Sequence, residues 1–397
     1  MPRTARMIRA FPAVAGLAAC LGLALPAAAA DLPQATGKML AALKLDASIL
    51  SGLDRELAVP QAWIDAAKQE KEVIIYTTTL PRQWLKIEGI LKERYPYINF
   101  RHEEVNTAER RWVRPLAAFT QGRIITDVVM DMSGSVFRFR EAGALIPLDN
   151  LPSYGNFPVE ARQKDHIAVA VRSRYWCMSY NTRKIARSEL PKTWDDLLTN
   201  PKFADKNLAL VNRPNLWLLN VWTGKGDEWG RKYVRDLFAL SPQLRKEGLT
   251  AVINLIVLGE ASAAVPSEMM RVGPEAQKGA PIGFHCPEPV PFTISDMGII
   301  AKSPRTNAAR IFVNWFLSKE GQIAQYWANF SPPAHKELLR KEFLFYPEAI
   351  AGKKIAVVDD HSEELSKTVL EEWNKHWLSA GGPSEAKKKK KKAEAQQ

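Results

Sequence analysis

The sequence predicts an α/β protein of two lobes, each a parallel-type sheet with helices on both faces. Three observations lead there. Between residues 72 and 130 short β-branched runs alternate with amphipathic helical stretches, the pattern of a parallel sheet covered on both sides. The alternation breaks off and resumes from residue 174. Of the 397 residues 46% are hydrophobic and 25% charged, which supports a substantial core and excludes general disorder.

The elements follow in order. Residues 1–30 read as an export signal: a basic segment to Arg9, an apolar small-residue run, and Ala28, Ala29 and Ala30 before the expected cut. A competing reading makes Cys20, preceded by Leu17, Ala18 and Ala19, a lipid-anchored residue. Residues 21–25 stay apolar, which speaks against it. Residues 31–71 form a helical N-terminal extension interrupted by Gly52 and Pro60. Strand 72–76 then empties into Thr77, Thr78 and Thr79, and a helix from Pro81 carries Trp84, Ile87, Leu91 and Tyr95 on one face. A strand over 97–105, a helix over 108–121 and a strand over 127–130 complete the first series.

In the second series, strands are expected at 174–180, 208–211, 261–265 and 282–285, with helices at 193–200, 216–223 and 227–240. Thr193 with Asp196 three residues on reads as a helix N-cap. A strand over 298–301 precedes a long helix from Asn307 to residue 327. Residues 331–380 form a helical C-terminal extension. Its helix, 365–378, has an apolar face broken at Glu372 and His376 and is expected to lie along a lobe surface. Residues 381–397 form a lysine-rich solvated tail.

The net charge of +12 sits largely at the two ends, in Arg3, Arg6, Arg9 and the lysines 387–392. The body between is only mildly basic, so no nucleic-acid partner is expected. No stretch after the leader reaches the roughly 18 to 20 apolar residues of a membrane span. Of the three cysteines, Cys177 and Cys286 remain after cleavage, either as a disulfide or, on the plainer reading, as two separately buried thiols.

Open sheets take ligands beyond the carboxyl ends of their strands, which nominates Thr77, Thr78, Thr79, Asp131, Ser133, Asn212, Arg213, Ser267, Glu268 and Asp296 as ligand-binding residues. The threonines offer hydroxyls and amides ahead of a helix N-terminus, where negative charge is favoured. Arg213 can grip a carboxylate or phosphate with two parallel hydrogen bonds. An acid facing the cleft beside it would ask for a cationic or hydroxyl group on the same ligand. Tyr175, Trp176 and Trp217 are either stacking surfaces or core anchors. No zincin helix, CxxC pair, GxSxG elbow, Walker loop or dinucleotide fingerprint occurs, so no catalytic residue, metal or cofactor is assigned.

The ordered set AAKQEKEVIIYT (66–77), DVVM (127–130), EAGALIP (141–147), YNT (180–182), PKTWDDLL (191–198), NPKF (200–203) and FVNWFLSKEGQ (312–322) resembles the extracellular solute-binding proteins of ABC importers, in particular their ferric-binding branch. The resemblance implies a type II periplasmic binding protein fold with a hinge between lobes. Lobe one would be 72–171 with 294–330, and lobe two 172–293. It also implies a periplasmic monomer that captures a small solute, delivers it to an ABC transporter permease in the inner membrane, and catalyses nothing. In the ferric branch two adjacent tyrosines hold the metal with a histidine and a glutamate. On that pattern Met269 and Met270 stand at the tyrosine positions, Leu80 near the histidine and Met132 near the glutamate. An anionic or zwitterionic organic solute is therefore the expected ligand. The alternatives are iron(III) or a ferric chelate, and, from another class, a periplasmic enzyme on the same fold.

Overall fold

In the computed structural model, residues 32–383 are described except 106, 108, 133, 134, 164, 246 and 358–361. The export signal, the possible anchor at Cys20 and the lysine run lie outside the described residues. In chain order the principal elements begin with α1 (Gln34–Leu43), α2 (Leu53–Glu56), α3 (Gln61–Glu70), β1 (Glu72–Thr77), α4 (Pro81–Arg94), β2 (Asn99–Glu104), α5 (Arg114–Thr120), β3 (Val128–Met130) and α6 (Val136–Glu141). The middle of the chain holds β4 (Val169–Asn181), α7 (Trp194–Thr199), β5 (Leu208–Val211), α8 (Leu218–Lys225), α9 (Asp227–Ala239), β6 (Gln243–Arg245), α10 (Leu249–Leu258), β7 (Ala263–Glu268), α11 (Met269–Gln277) and β8 (Ile282–His285). It closes with β9 (Val290–Ile299), α12 (Thr306–Leu317), α13 (Lys319–Asn329), β10 (Ile355–Ala356) and α14 (Ser362–Ser379).

The strands run in the order β2, β1, β3, β9, β4, β7, β5, β6, with β8 beside β4 and β10 beside β9. β1 pairs in parallel with β2 and β3, and β5 with β6 and β7. The two long strands are antiparallel to each other and to β3, β7 and β8, with only the short β10 running parallel to β9, and they tie the halves together. From Val169 to Tyr175, β4 pairs with β9; from Trp176 onward it pairs with β7 and β8. The chain thus passes from one half to the other in β4 and returns in β9, so the architecture has two lobes joined by crossing strands.

Both crossing strands are longer than expected: β4 begins at Val169 rather than at 174, and β9 at Val290 rather than at 298. The reason is chemical. Arg172, Arg174, Thr293, Ser295 and Asp296 interrupt the apolar pattern that marks a strand, and four of them face a cleft rather than a core.

Alternation explains the burial of the second half. Leu208 and Leu210 of β5 pack to one side with Trp194, Trp217 and Trp222, while Ala209 and Val211 pack to the other with Val252, Ile256 and Met269. The Thr193 cap forms as expected: its hydroxyl accepts from the Asp196 N–H at 3.2 Å, and its own N–H donates to the Asp196 carboxylate at 2.8 Å. Cys177 and Cys286 form a disulfide with 4.9 Å between Cα atoms, so the plainer reading of separate thiols is corrected.

A second correction concerns α14. Its buried stripe is Val369, Trp373 and Trp377, joined by the partly buried Leu365, and it enters the same core as Trp217 and Tyr233. The apolar face follows a spacing of four, which leaves Glu372 and His376 to one side. The helix is therefore a structural wall rather than a surface strip.

Candidate functional site: an arginine-rich cleft

Between the halves lies a cleft of about 1090 Å³. Its floor is the pair of crossing strands. Side chains two apart share a face, so Arg172, Arg174 and Trp176 of β4 point into it together. Opposite them in register stand Ser295 and Thr293 of β9. Trp176 donates its indole N–H to the Thr293 hydroxyl at 2.8 Å.

The first wall is built from strand ends and helix starts: Thr78 after β1, Arg82 and Gln83 in the first turn of α4, Asp131 and Met132 after β3, and Ser135 and Arg138 at α6. Arg111 joins them from the one-turn π-helix just before α5. The second wall comes from Arg213, Asn215 and Leu219 beyond β5, and from Glu268, Met270 and Arg271 where β7 meets α11.

Asp131 organises the first wall. It has a left-handed backbone, φ 60°, which a short polar side chain tolerates better than most. One carboxylate oxygen accepts from the Thr78 N–H at 2.9 Å, the Thr78 hydroxyl at 2.7 Å and the Thr77 hydroxyl at 3.1 Å. The other lies 3.3 Å from the Arg172 guanidinium. Burial alone would raise the Asp131 pKa, but Arg172, Arg174 and the Thr78 bonds override it and hold the carboxyl well below the usual range. Arg172 also donates to Gln325 at 3.3 Å and to Thr79 at 3.2 Å. On the second wall Glu268 lies 3.6 Å from Arg174 and accepts from Arg271 at 2.8 Å.

Charge in the cleft is unequal. Arg82, Arg111, Arg138, Arg172, Arg174, Arg213 and Arg271 line it against only Asp131, Glu268 and Glu275. Burial lowers the Arg111 pKa, and the neighbouring Asp131 pulls it back; the guanidinium stays charged at any ordinary pH. The Nε–H groups of Arg111 and Arg174, and the side-chain carbonyl of Asn215, are buried without a hydrogen-bond partner among the described residues. Arg138 lies over the Trp112 ring at 4.8 Å, which places an aromatic face beside the charge. The arrangement suits a ligand that brings negative charge and acceptors to the arginines and a donor to Asn215.

Of the residues nominated from sequence, Thr78, Asp131, Arg213 and Glu268 are on the cleft wall. Thr77 and Thr79 are buried behind it as partners of Asp131 and Arg172. Ser267 is buried against the Ser179 hydroxyl at 2.8 Å, and Asn212 accepts from the Trp373 indole at 2.9 Å; neither lines the cleft. Asp296 also faces away. It accepts from Gln163 at 3.1 Å, and burial, only partly offset by that bond, pushes its pKa up to about 6. Ser133 lies outside the described residues.

Trp176 lines the cleft, Trp217 is a fully buried core anchor, and Tyr175 packs in the core around Phe284. Leu80, Met132 and Met270 are cleft residues, and no tyrosine or histidine lines the cleft among the described residues. Among the described residues no group of three or more His, Cys, Asp or Glu comes together to hold a metal. Sequence reasoning did not nominate Arg111, Arg172, Arg174 or Arg271. For two of them the signal was present, as Arg172, Arg174 and Trp176 at a spacing of two.

Residues 124–343 match the family described as bacterial extracellular solute-binding protein. An uncharacterized protein of Haemophilus influenzae is 27% identical over 177 residues, 42% of this chain, and the match spans about half (49%) of that relative's length. Among solved structures, iron-bound HitA from Pseudomonas aeruginosa superposes with a TM-score of 0.61 at 17% identity, over 77% of this chain and 99% of that one. The substrate-binding protein of an ABC transporter from Agrobacterium tumefaciens gives 0.64 at 13% identity over 77% and 94%. The ferric binding protein from Campylobacter jejuni gives 0.62 at 16% over 76% and 98%. At these identities the likeness is one of fold, the two-lobe binding-protein architecture.

Proposed function

The chain belongs to the bacterial extracellular solute-binding proteins, binding proteins rather than enzymes, and from that premise we propose that it captures a small organic anion, carrying at least two negative charges and a hydroxyl or amino donor, for an ABC importer. It would do so as a periplasmic monomer that hands its solute to an inner-membrane permease. On this reading 72–171 with 294–330 form one jaw and 172–293 the other, closing about β4 and β9.

The observation that carries the proposal is the surplus of guanidinium groups in the cleft: with Arg138 left aside, six arginines face three acids. In a partly buried site, unmatched positive charge is costly until an anion enters. Thr78, Asp131, Arg213 and Glu268 are proposed as binding residues, joined by Arg111, Arg172, Arg174 and Arg271. Glu268 and Asp131 each already hold arginines, so they orient the cationic wall and add selectivity for a donor group on the solute. Two of the structural neighbours are iron-bound HitA and the ferric binding protein from Campylobacter jejuni. Here Leu80, Met132 and Met270 occupy the cleft, and thioether and alkyl groups are poor ligands for a hard cation.

Native mass spectrometry of gently purified protein would identify a retained solute. A thermal-shift panel of phosphate monoesters, dicarboxylates and citrate should contain at least one compound that raises the melting temperature by several degrees, since ligand at a hundredfold excess over Kd adds about 2.7 kcal/mol. Bare ferric ion as the tightest guest, or a panel with no effect, overturns the proposal.

A further inference from the structure

The C-terminal helix α14 lies beyond the residues that match the solute-binding family, which end at 343, yet it reaches the cleft. Ser362 and Ser366 of its first turns line the cavity on the side of Arg213 and Asn215. Its contacts with that neighbourhood are polar as well as apolar. Asn215 donates its side-chain N–H to the Ser366 hydroxyl at 3.1 Å, and the Trp373 indole N–H donates to the Asn212 side-chain carbonyl at 2.9 Å. Arg213 lies between those two asparagines in the sequence.

The loop that presents Arg213 is therefore fastened to α14 on both sides of the arginine. Arg213 itself is exposed and makes no side-chain hydrogen bond or ion pair among the described residues. Its reach is set by the backbone on which it stands. Behind that backbone is a second chamber of about 540 Å³, walled by the same loop and by Leu370, Asn374 and Trp377 of α14. Pro214 is buried and Leu216 packs on the core, which seats the loop as a whole; the two asparagines flanking Arg213 are only partly buried, and their side-chain hydrogen bonds to the helix set the register of that stretch.

We infer that α14 is a component of the solute site: Ser362 completes its wall, and Ser366 and Trp373 are positioning residues that aim Arg213 at the bound anion. The inference rests on the cleft's binding an anion, and it assigns specificity to a helix outside the matched region. Because the indole that holds Asn212 is also buried in the lobe's core, the docking of α14 and the affinity of the cleft become one property.

The test uses the full mature chain with citrate and glycerol 3-phosphate as probes. Ser366→Ala removes one fastening without touching the core, and Trp373→Phe removes the other donor while keeping an aromatic ring. Hydrogen exchange of peptides covering residues 211–217 should speed up at least tenfold in the double variant. Probe affinity should fall 5- to 20-fold, and that loss should disappear in an Arg213→Ala background, because a residue acting through Arg213 has nothing further to lose. Lys375→Ala, on the exposed side of α14, should change neither reading. Losses that add to that of Arg213→Ala, or unchanged loop exchange, would overturn the inference; Ser366→Ala alone decides if the double variant fails to fold. Wild-type protein that binds neither probe nor any other compound of the thermal-shift panel overturns the anion reading, and the inference falls with it; a panel compound that does bind replaces the probes in the same cycle. Binding that is indifferent to the α14 variants sinks the inference and leaves the anion reading standing.

Discussion

Two regions of this molecule bury charged side chains, and they balance them differently. Behind the first lobe, Glu320 is fully buried and accepts from the Arg94 guanidinium, the Thr36 hydroxyl and the Trp315 indole. Beside it Glu56 accepts from the Lys319 N–H at 2.8 Å and lies 3.2 Å from His335, while the Lys319 ammonium meets Glu337 at 2.8 Å. There each charge meets its opposite, and the product is mechanical: Thr36 and Glu56 belong to the N-terminal extension, which is thereby locked onto α13. In the cleft, cations outnumber anions among the lining residues. Buried charge alone thus marks nothing; its imbalance marks the place where a partner belongs.

Three substitutions would break or sharpen that contrast. Glu320→Ala takes the counter-ion from the partly buried Arg94 and the acceptor from the buried Thr36 hydroxyl and Trp315 indole, and should cost on the order of 3 kcal/mol of unfolding free energy in a denaturant titration, with anion affinity of the folded fraction unchanged. A large loss of affinity would show that the two regions are not separable.

Asp296→Asn tests a buried acid that belongs to neither pattern. With a folded pKa of about 6 against about 3.9 unfolded, the native state holds its proton more tightly, so its share of stability is present at low pH and is lost as pH rises from about 4 to about 6. The difference between wild type and variant across that window should be on the order of 2 kcal/mol, wild type declining relative to the variant. A flat difference refutes it.

Arg111→Ala should do the reverse of the Glu320 change. Calorimetry should show at least tenfold weaker binding of the best anion of the panel, about 1.4 kcal/mol, with little change in melting temperature. If stability falls and affinity holds, Arg111 is part of the scaffold.

The contrast also explains what could be read from the chain beforehand. β3 and β5 are buried throughout, β1 and α12 over most of their length, and their apolar runs announce them. The strand-end rule likewise pointed to Thr78, Asp131, Arg213 and Glu268, which the fold sets on the cleft wall. It could not tell them from Thr77, Ser267 or Asp296, because adjacent residues on a strand face opposite ways and only the tertiary structure says which way is in. The start of β4 and most of β9 were hidden by their own polarity. Arg172, Arg174, Thr293 and Ser295 look like loop chemistry until another strand is laid beside them. α14 was misjudged by one position in each turn: a face read through Glu372 and His376 is broken, whereas the face through Trp373 and Trp377 is not.

The covalent route between the jaws has a consequence of its own. β4 and β9 carry the chain across, and the same two strands present Arg172, Arg174, Ser295 and Thr293. A guest seated on those groups loads the joint as well as the gums, so whatever stiffens or bends this pair of ribbons changes grip and gape together. Engineering one without the other would mean moving recognition off the axle.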